Sequence, residues 1–363
     1  MALKIQFKKH ILQFKFEAGT SRGTLKTKTT YFIIIHDTQT GITGIGECGP
    51  LKGLSIDDRD DMEEILADFC TEFEQTSWPI EKEEALEIIA EKVPAELPAV
   101  RFGFETAFLD LINGGKRLLF ENDFSLSKES IPINGLIWMG DKDFMSAQIE
   151  QKLEAGFDCL KMKIGAIDFE QECKLLNHIR KNYSSNEITL RVDANGAFKA
   201  DEATERLKKL AAYDIHSIEQ PIWPGQVEAM KVLCDRNIIP IALDEELIGV
   251  HGNENKKILL ENIRPQFIIL KPTLLGGFKE TREWIHLAEA LNIGWWITSA
   301  LESNIGLNAI AQFTAQFNTN MLQGLGTGQL YHNNIPSPLI IEKGFLKYDE
   351  DASWNTGLIF NSN

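Results

Sequence analysis

Apolar and polar residues alternate through LKIQFKKHILQFKF from Leu3, and the same period of two returns in TTYFIIIHD and GITGIGEC. Successive side chains of a strand point to opposite faces, so this texture predicts three strands in an antiparallel meander, with Asp37-Thr38-Gln39-Thr40-Gly41 as a turn. From Ser55 to about Gly114 the period lengthens to that of amphipathic helices, in SIDDRDDMEEILADFCTEFEQ, KEEALEIIAEKV and AVRFGFETAFLDLING. Ser55 is placed to cap the first ahead of an acidic turn, and Gly114-Gly115 to end the last. Strands followed by a run of helices predict an α+β domain over residues 1–128.

Beyond Glu129 the texture becomes strand-helix alternation. The candidate strands are IPINGLIW (131–138), CLKMKIG (159–165), ITLRVDAN (188–195), IHSIEQPI (215–222), IIPIALDE (238–245), FIILK (267–271), GWWITSA (294–300) and NMLQGLG (320–326). Between them lie stretches such as FEQECKLLNHIRKN and DEATERLKKLAAYD, whose apolar residues share one helical face. Eight such units predict a (β/α)8-type barrel over residues 129–340, wound right-handed. PLIIEKGFLKYD predicts one further strand, in a segment over 341–363 that returns to the first domain.

A length of 363 residues suits one large barrel with a modest second domain. The formal net charge of -16 argues against nucleic acid or an anionic membrane as partner, and no run approaches the ~18 apolar residues of a membrane span. Five cysteines without a CxxC pair fit a reducing compartment. The N-terminal alternation lacks the apolar core of a secretion signal. The expectation is a cytoplasmic protein, its oligomeric state open.

Charged residues stand at the predicted strand ends in a regular rhythm: Lys163, Asp193, Glu219, Asp244 and Lys271, separated by 30, 26, 25 and 27 residues. A barrel turns the C-terminal ends of its strands to one face, where catalytic residues collect. Each acid alone is as readily a turn residue; in phase they predict one pocket. Asp193, Glu219 and Asp244 offer hard oxygen ligands to a divalent cation, Mg2+ or Mn2+, although Glu245 and Glu246 leave open which acid of that run points inward. Lys161 and Lys163, two residues apart, share a strand face, and the like charge of Lys161 is expected to lower the pKa of Lys163 and make it a base. Lys271 would face them across the cavity. Such a set suits abstraction of a proton α to a carboxylate, so the expected partner is a small-molecule carboxylate.

The motifs KMK, RVDANGAF, SIEQPI, ALDEEL, ILKPTLLGG and TSALESNIGL, in that order, resemble the muconate-lactonising subgroup of the enolase superfamily over the whole chain. The resemblance implies a modified (β/α)7β barrel with an N-terminal capping domain and Mg2+ on Asp193, Glu219 and Asp244. It implies Lys163 as the base that returns its proton to a departing hydroxyl, and Lys271 as the cation that stabilises the enediolate. Arg191, SALESNIGL and GLGTG tilt it towards members that dehydrate 2-succinyl-6-hydroxy-2,4-cyclohexadiene-1-carboxylate in menaquinone synthesis. On that reading Arg191 positions Lys163 or serves as a structural ion-pair partner. Groups around Ser299, Ser303 and Asn304 hold the succinyl carboxylate, and Gly324 and Gly326 leave the substrate room. The loops at 19–23 and 49–54, with Ser21 and Leu51, close over the pocket.

Two lysines on opposite sides also serve a two-base racemase. An N-acylamino acid racemase or dipeptide epimerase therefore stays open, although GLGTG lacks the Asp-x-Asp typical of the epimerases, and muconate cycloisomerisation is a weaker option. A non-catalytic barrel binding protein is the reading from a different class; the completeness of the five charged positions disfavours it.

Overall fold

The computed structural model describes residues 2–360 apart from 21, 22, 80, 166 and 319. The alternating N-terminal segments form an antiparallel sheet of β1 (Leu3–Thr20), β2 (Gly23–Asp37) and β3 (Thr43–Cys48), with Leu3 opposite Asp37 and Tyr31 opposite Cys48. Helices α1 (Met62–Gln75), α2 (Lys82–Lys92) and α3 (Pro98–Ile112) cover it, burying Ile33 and Ile35 against Leu66, Phe73, Phe104 and Phe108. Helix α3 lies against β3 so closely that a Cβ at Gly44 or Gly46 would strike its backbone carbonyls. The first helix begins at Met62, later than expected, because local side chains favour turns over helix here. Ser55 Oγ accepts from the Leu51 amide (2.7 Å) and Asp58 from the Gly53 amide (2.8 Å), which ties down loop 49–54.

Next come β4 (Ile131–Pro132), β5 (Gly135–Ile137), α4 (Lys142–Glu154), β6 (Cys159–Lys163), α5 (Phe169–Asn182), β7 (Thr189–Asp193), α6 (Ala200–Ala211), β8 (Ile215–Glu219), α7 (Val227–Arg236) and β9 (Ile241–Leu243). They continue into α8 (Asn253–Ile263), β10 (Phe267–Leu270), α9 (Pro272–Leu275), α10 (Gly277–Ala290), β11 (Gly294–Ile297) and α11 (Asn304–Thr314). Strands β5 to β11 form one seven-stranded parallel sheet in sequence order. Parallel bridges from Ile133 to Gln323 and from Thr298 to Gly324 fill the eighth position. Pleating sends alternate residues to opposite faces: Leu160, Met162, Leu190, Val192 and Ile218 enter the apolar layer under the helices, which leaves Lys161, Lys163, Arg191, Asp193, Ser217 and Glu219 for the barrel interior.

The C-terminal segment departs from the expected single strand. It makes a hairpin, β12 (Leu339–Glu342) and β13 (Phe345–Tyr348), which pairs with β4 and so with the barrel. The cause is the Lys343-Gly344 turn, with φ of 49° and 74°, the backbone sign that two-residue hairpin turns require. Contact with the N-terminal sheet comes later, through Trp354 and then Ile359, the latter on α12 (Gly357–Phe360), which join Phe32, Ile34 and Ile45. No helix among the described residues is long and apolar enough to cross a membrane.

Candidate active site

Register brings the strand-end charges together. Lys163 of β6 is opposite Asp193 of β7, which is opposite Glu219 of β8, while Lys161, Arg191 and Ser217 form the layer beneath. Asp244 and Lys271 follow directly on β9 and β10. Lys161 Nζ bridges Asp193 Oδ2 (2.9 Å) and Glu219 Oε2. Lys163 Nζ donates to Asp193 Oδ2 (3.0 Å) and Asn195 Oδ1 (2.8 Å). Lys271 pairs with Asp244 and lies 3.7 Å from Glu219 Oε1. Of the three acids after β9, Asp244 therefore joins the cluster, whereas Glu245 accepts from Asn195 (3.1 Å) and Glu246 from Gln220 (3.0 Å).

Burial disfavours a charge on Lys161, but Asp193 and Glu219 outweigh it and hold its pKa above the ordinary lysine range. Lys161 is thus a fixed cation shared by two acids. Burial likewise opposes ionisation of Asp193, yet Lys161 and Lys163 keep its carboxyl well below the usual range. Asp244 moves the other way: burial and the neighbouring Glu245 and Glu219 push its carboxyl up against the pull of Lys271.

Such a cluster suits a hard divalent cation. Glu219 Oε1 is buried without a hydrogen bond, and crowding that raises Asp244 is relieved by added positive charge. Among the described residues no three acidic, histidine or cysteine side chains stand as a ready-made ligand cage, because the lysine ammoniums lie between the acids. The chemistry of the donor set fits the cation; loading it requires the lysines to give up oxygens they now hold.

Above the cluster is a cavity of about 630 Å³, lined by Lys161, Lys163, Asp193 and Lys271 at the barrel mouth, and by Leu51, Trp138 and Leu301 among its apolar walls. Ser299 and Gly326 also line it, with Ser299 Oγ hydrogen-bonded to Thr327 Oγ1 (2.5 Å). Gly324 lines it too, but a Cβ there would collide with Thr298, so its missing side chain accommodates the next strand and not a substrate. Ser21 lies outside the described residues.

Three expected site residues are placed elsewhere. Arg191 is not in the cavity wall: one pleat below Asp193, it lies 4.0 Å from the Trp296 ring centre and donates to the Leu322 carbonyl (2.8 Å). Ser303 gives its amide (2.8 Å) and hydroxyl to Glu47 of the N-terminal sheet. Asn304 donates through its side-chain amide to the Ile335 carbonyl (2.7 Å) and receives no cavity face. Period two tells which face a residue takes, not its depth; a helix start resembles an anion site whether its donors are free or already taken. Conversely, Asn195 escaped the reading although it touches Lys163, and its spacing of two from Asp193 was the available signal.

A closed parallel barrel with lysines flanking three strand-end carboxylates defines an α-proton-abstracting enzyme class, and the chain belongs to the enolase superfamily: residues 145–352 match the family described as Enolase C-terminal domain-like. It is 45% identical to an o-succinylbenzoate synthase of Desulfotalea psychrophila, over 95% of this chain and 98% of that one. The crystal structure of MenC from Desulfotalea psychrophila LSv54 is similar over 96% of this chain and all of that one, with a TM-score of 0.84 and 42% identity. A dipeptide epimerase from Enterococcus faecalis V583, complexed with Mg and the dipeptide L-Leu-L-Tyr, shares the fold at a TM-score of 0.83 and 22% identity, over 97% of this chain and 98% of that one.

Proposed function

We propose that this enzyme carries out the o-succinylbenzoate synthase reaction, the syn dehydration of 2-succinyl-6-hydroxy-2,4-cyclohexadiene-1-carboxylate to 2-succinylbenzoate in menaquinone biosynthesis, with Mg2+ as its cation. The opposed lysines support proton abstraction, and the near-full-length 45% identity to the Desulfotalea psychrophila relative carries the choice of dehydration. Asp193, Glu219 and Asp244 would hold Mg2+, which supplies positive charge to the substrate carboxylate and to the enediolate as it forms.

Lys163 Nζ, in its neutral form, takes the proton α to the carboxylate, with Asn195 Oδ1 orienting the amine. The electron pair left by the C–H bond moves into the ring system. As the C–O bond breaks, the same Nζ returns its proton to the hydroxyl, so water leaves from the face that lost the proton. Lys271 stays protonated on the opposite side, where its charge faces the ring. Lys161 holds Asp193 and Glu219 in place. Apolar walls from Leu51, Trp138 and Leu301 exclude bulk water.

The test is turnover of the cyclohexadiene substrate by purified protein in Mg2+, with Lys163→Ala beside it. We expect product from the wild type and a loss of roughly 10²–10⁴-fold in the variant, the range of a general base. Unchanged elimination in Lys163→Ala would remove the mechanism.

A further inference from the structure

We propose that Glu302 is a positioning residue: its two carboxylate oxygens tie the cavity wall at Leu301 to the turn that carries Lys271, and so fix that ammonium against the ring it faces. The inference rests on the reading of Lys271 as the cation of the reaction. Neither the acid cluster nor the apolar walls account for Glu302, which is completely buried in the loop between β11 and α11, next to the cavity-lining Ser299, Ala300 and Leu301.

Leu301 is the first observation. A left-handed backbone crowds the Cβ of any residue but glycine, yet the φ of this leucine is 65°. Such a conformation persists only where its surroundings impose it. Here the peptide groups on both sides are held: the Leu301 amide donates to Ser299 Oγ (3.2 Å), its carbonyl accepts from the Tyr331 hydroxyl (2.7 Å), and the Ala300 amide donates to Glu302 Oε2 (2.7 Å). The turn so imposed delivers the Leu301 side chain to the wall it shares with Leu51 and Trp138.

The other oxygen reaches across the rim. Glu302 Oε1 accepts from the hydroxyl of Thr273, 29 residues away and itself buried. Thr273 belongs to α9, whose first turn starts from Lys271: the Leu274 and Leu275 amides donate to the Lys271 carbonyl (2.8 and 3.1 Å). One carboxylate thus spans the ends of β10 and β11. A buried carboxylate is costly unless donors hold it, and here the Ala300 amide and the Thr273 hydroxyl do. Gly306 makes the space: a Cβ there would lie 2.7 Å from Glu302 Cβ and 3.0 Å from Glu47 Oε2. The run Glu302-Ser303-Asn304-Ile305-Gly306 therefore serves this carboxylate as well as the start of α11.

Steady-state kinetics of dehydration in Mg2+ tests this in Thr273→Val, Glu302→Leu, the double variant and Glu302→Gln. Thr273→Val removes only the bond across the rim. Since Lys271 meets charge that develops in the transition state, we expect kcat to fall about tenfold and KM to stay within about twofold. Glu302→Leu should lower kcat at least as far and also raise KM, because the wall moves; the double variant should be no worse than Glu302→Leu, since Thr273 acts through Glu302. Glu302→Gln keeps an acceptor for the Ala300 amide and a donor for Thr273, and should restore most of kcat. Wild-type kcat in Thr273→Val, or losses that multiply in the double variant, would overturn the link. If Glu302→Leu does not fold, Thr273→Val still decides: a merely structural bond lowers the thermal midpoint and leaves kcat alone. The two readings fail separately. A protein that dehydrates while Thr273→Val keeps wild-type kcat retains the dehydratase assignment and loses the link. One that only racemises an N-succinylamino acid loses the assignment, and the same comparison on its α-proton exchange in deuterated water decides the link.

Discussion

Residue by residue, the cluster is governed by how burial and pairing compete. Lys161 sits between two carboxylates that outweigh its desolvation, so it stays a cation shared by Asp193 and Glu219. Lys163 shares its hydrogens between Asp193 and Asn195. Replacing Asn195 by alanine removes an orienting acceptor without touching the proposed cation ligands. The expected result is a fall of about tenfold in kcat, equivalent to ~1.4 kcal/mol of barrel-mouth preorganisation, with KM little changed; steady-state kinetics decides it. The strand-end acids and lysines were legible because a period of two and a repeat near 27 residues place them on one face of one rim. Arg191 obeys the same period but lies a layer lower against Trp296, a distinction that alternation does not carry. Asn195 has a left-handed φ of 43° just past the strand, and its spacing of two from Asp193 was the one mark it carried.

At the scale of elements, two of the contacts between the N-terminal domain and the barrel are helix starts gripped by buried acids. Glu47 of β3 accepts from the amides of Ser303 and Gly306 (both 2.8 Å) at the start of α11, and Glu105 of α3 accepts from the Phe278 amide in the first turn of α10 (2.5 Å). Donors and dipole at a helix start favour such acids. Ser303→Ala is therefore predicted to cost about 1–3 kcal/mol in urea denaturation, the range for a broken buried bond to a charged partner, while KM stays within twofold. A large KM change would return Ser303 to the substrate. Glu105 has a sharper signature: burial raises its carboxyl to about 8 despite the Phe278 bond and Arg101. The folded chain keeps that proton where the unfolded chain has lost it. Its contribution is fully present below the ordinary value of 4.5 and is lost as pH climbs through about 8. Glu105→Gln should flatten the fall of the thermal midpoint between pH 5 and 8; equal slopes in both proteins would refute the linkage. These long-range partners, 173 and more residues apart, could not be read from local pattern. The Lys343-Gly344 hairpin could have been, since it carries its own turn signal.

For the whole molecule, the architecture was the most legible level, because strand-helix alternation sustained over some two hundred residues has few closed solutions. The eighth barrel position was less so: around Gln323 and Gly324 it is held by isolated bridges, and its glycine answers to Thr298 across the seam. The acid cluster at the rim predicts that stability depends on the cation. Mg2+ at a hundredfold excess over its Kd should stabilise the folded chain by ~2.7 kcal/mol, visible as a raised thermal midpoint that EDTA reverses and Asp193→Asn abolishes. A midpoint indifferent to Mg2+ would disconnect the cluster from the metal.

The proposed chemistry is an elimination run by one lysine with a second facing it, on a scaffold equally able to run a racemisation. Parallel turnover of the 6-hydroxycyclohexadiene carboxylate and of an N-succinylamino acid, both in Mg2+, tests it most directly. Loss of the diene absorbance with formation of 2-succinylbenzoate, at a kcat/KM well above that for racemisation, is the predicted result; racemisation without elimination would contradict it.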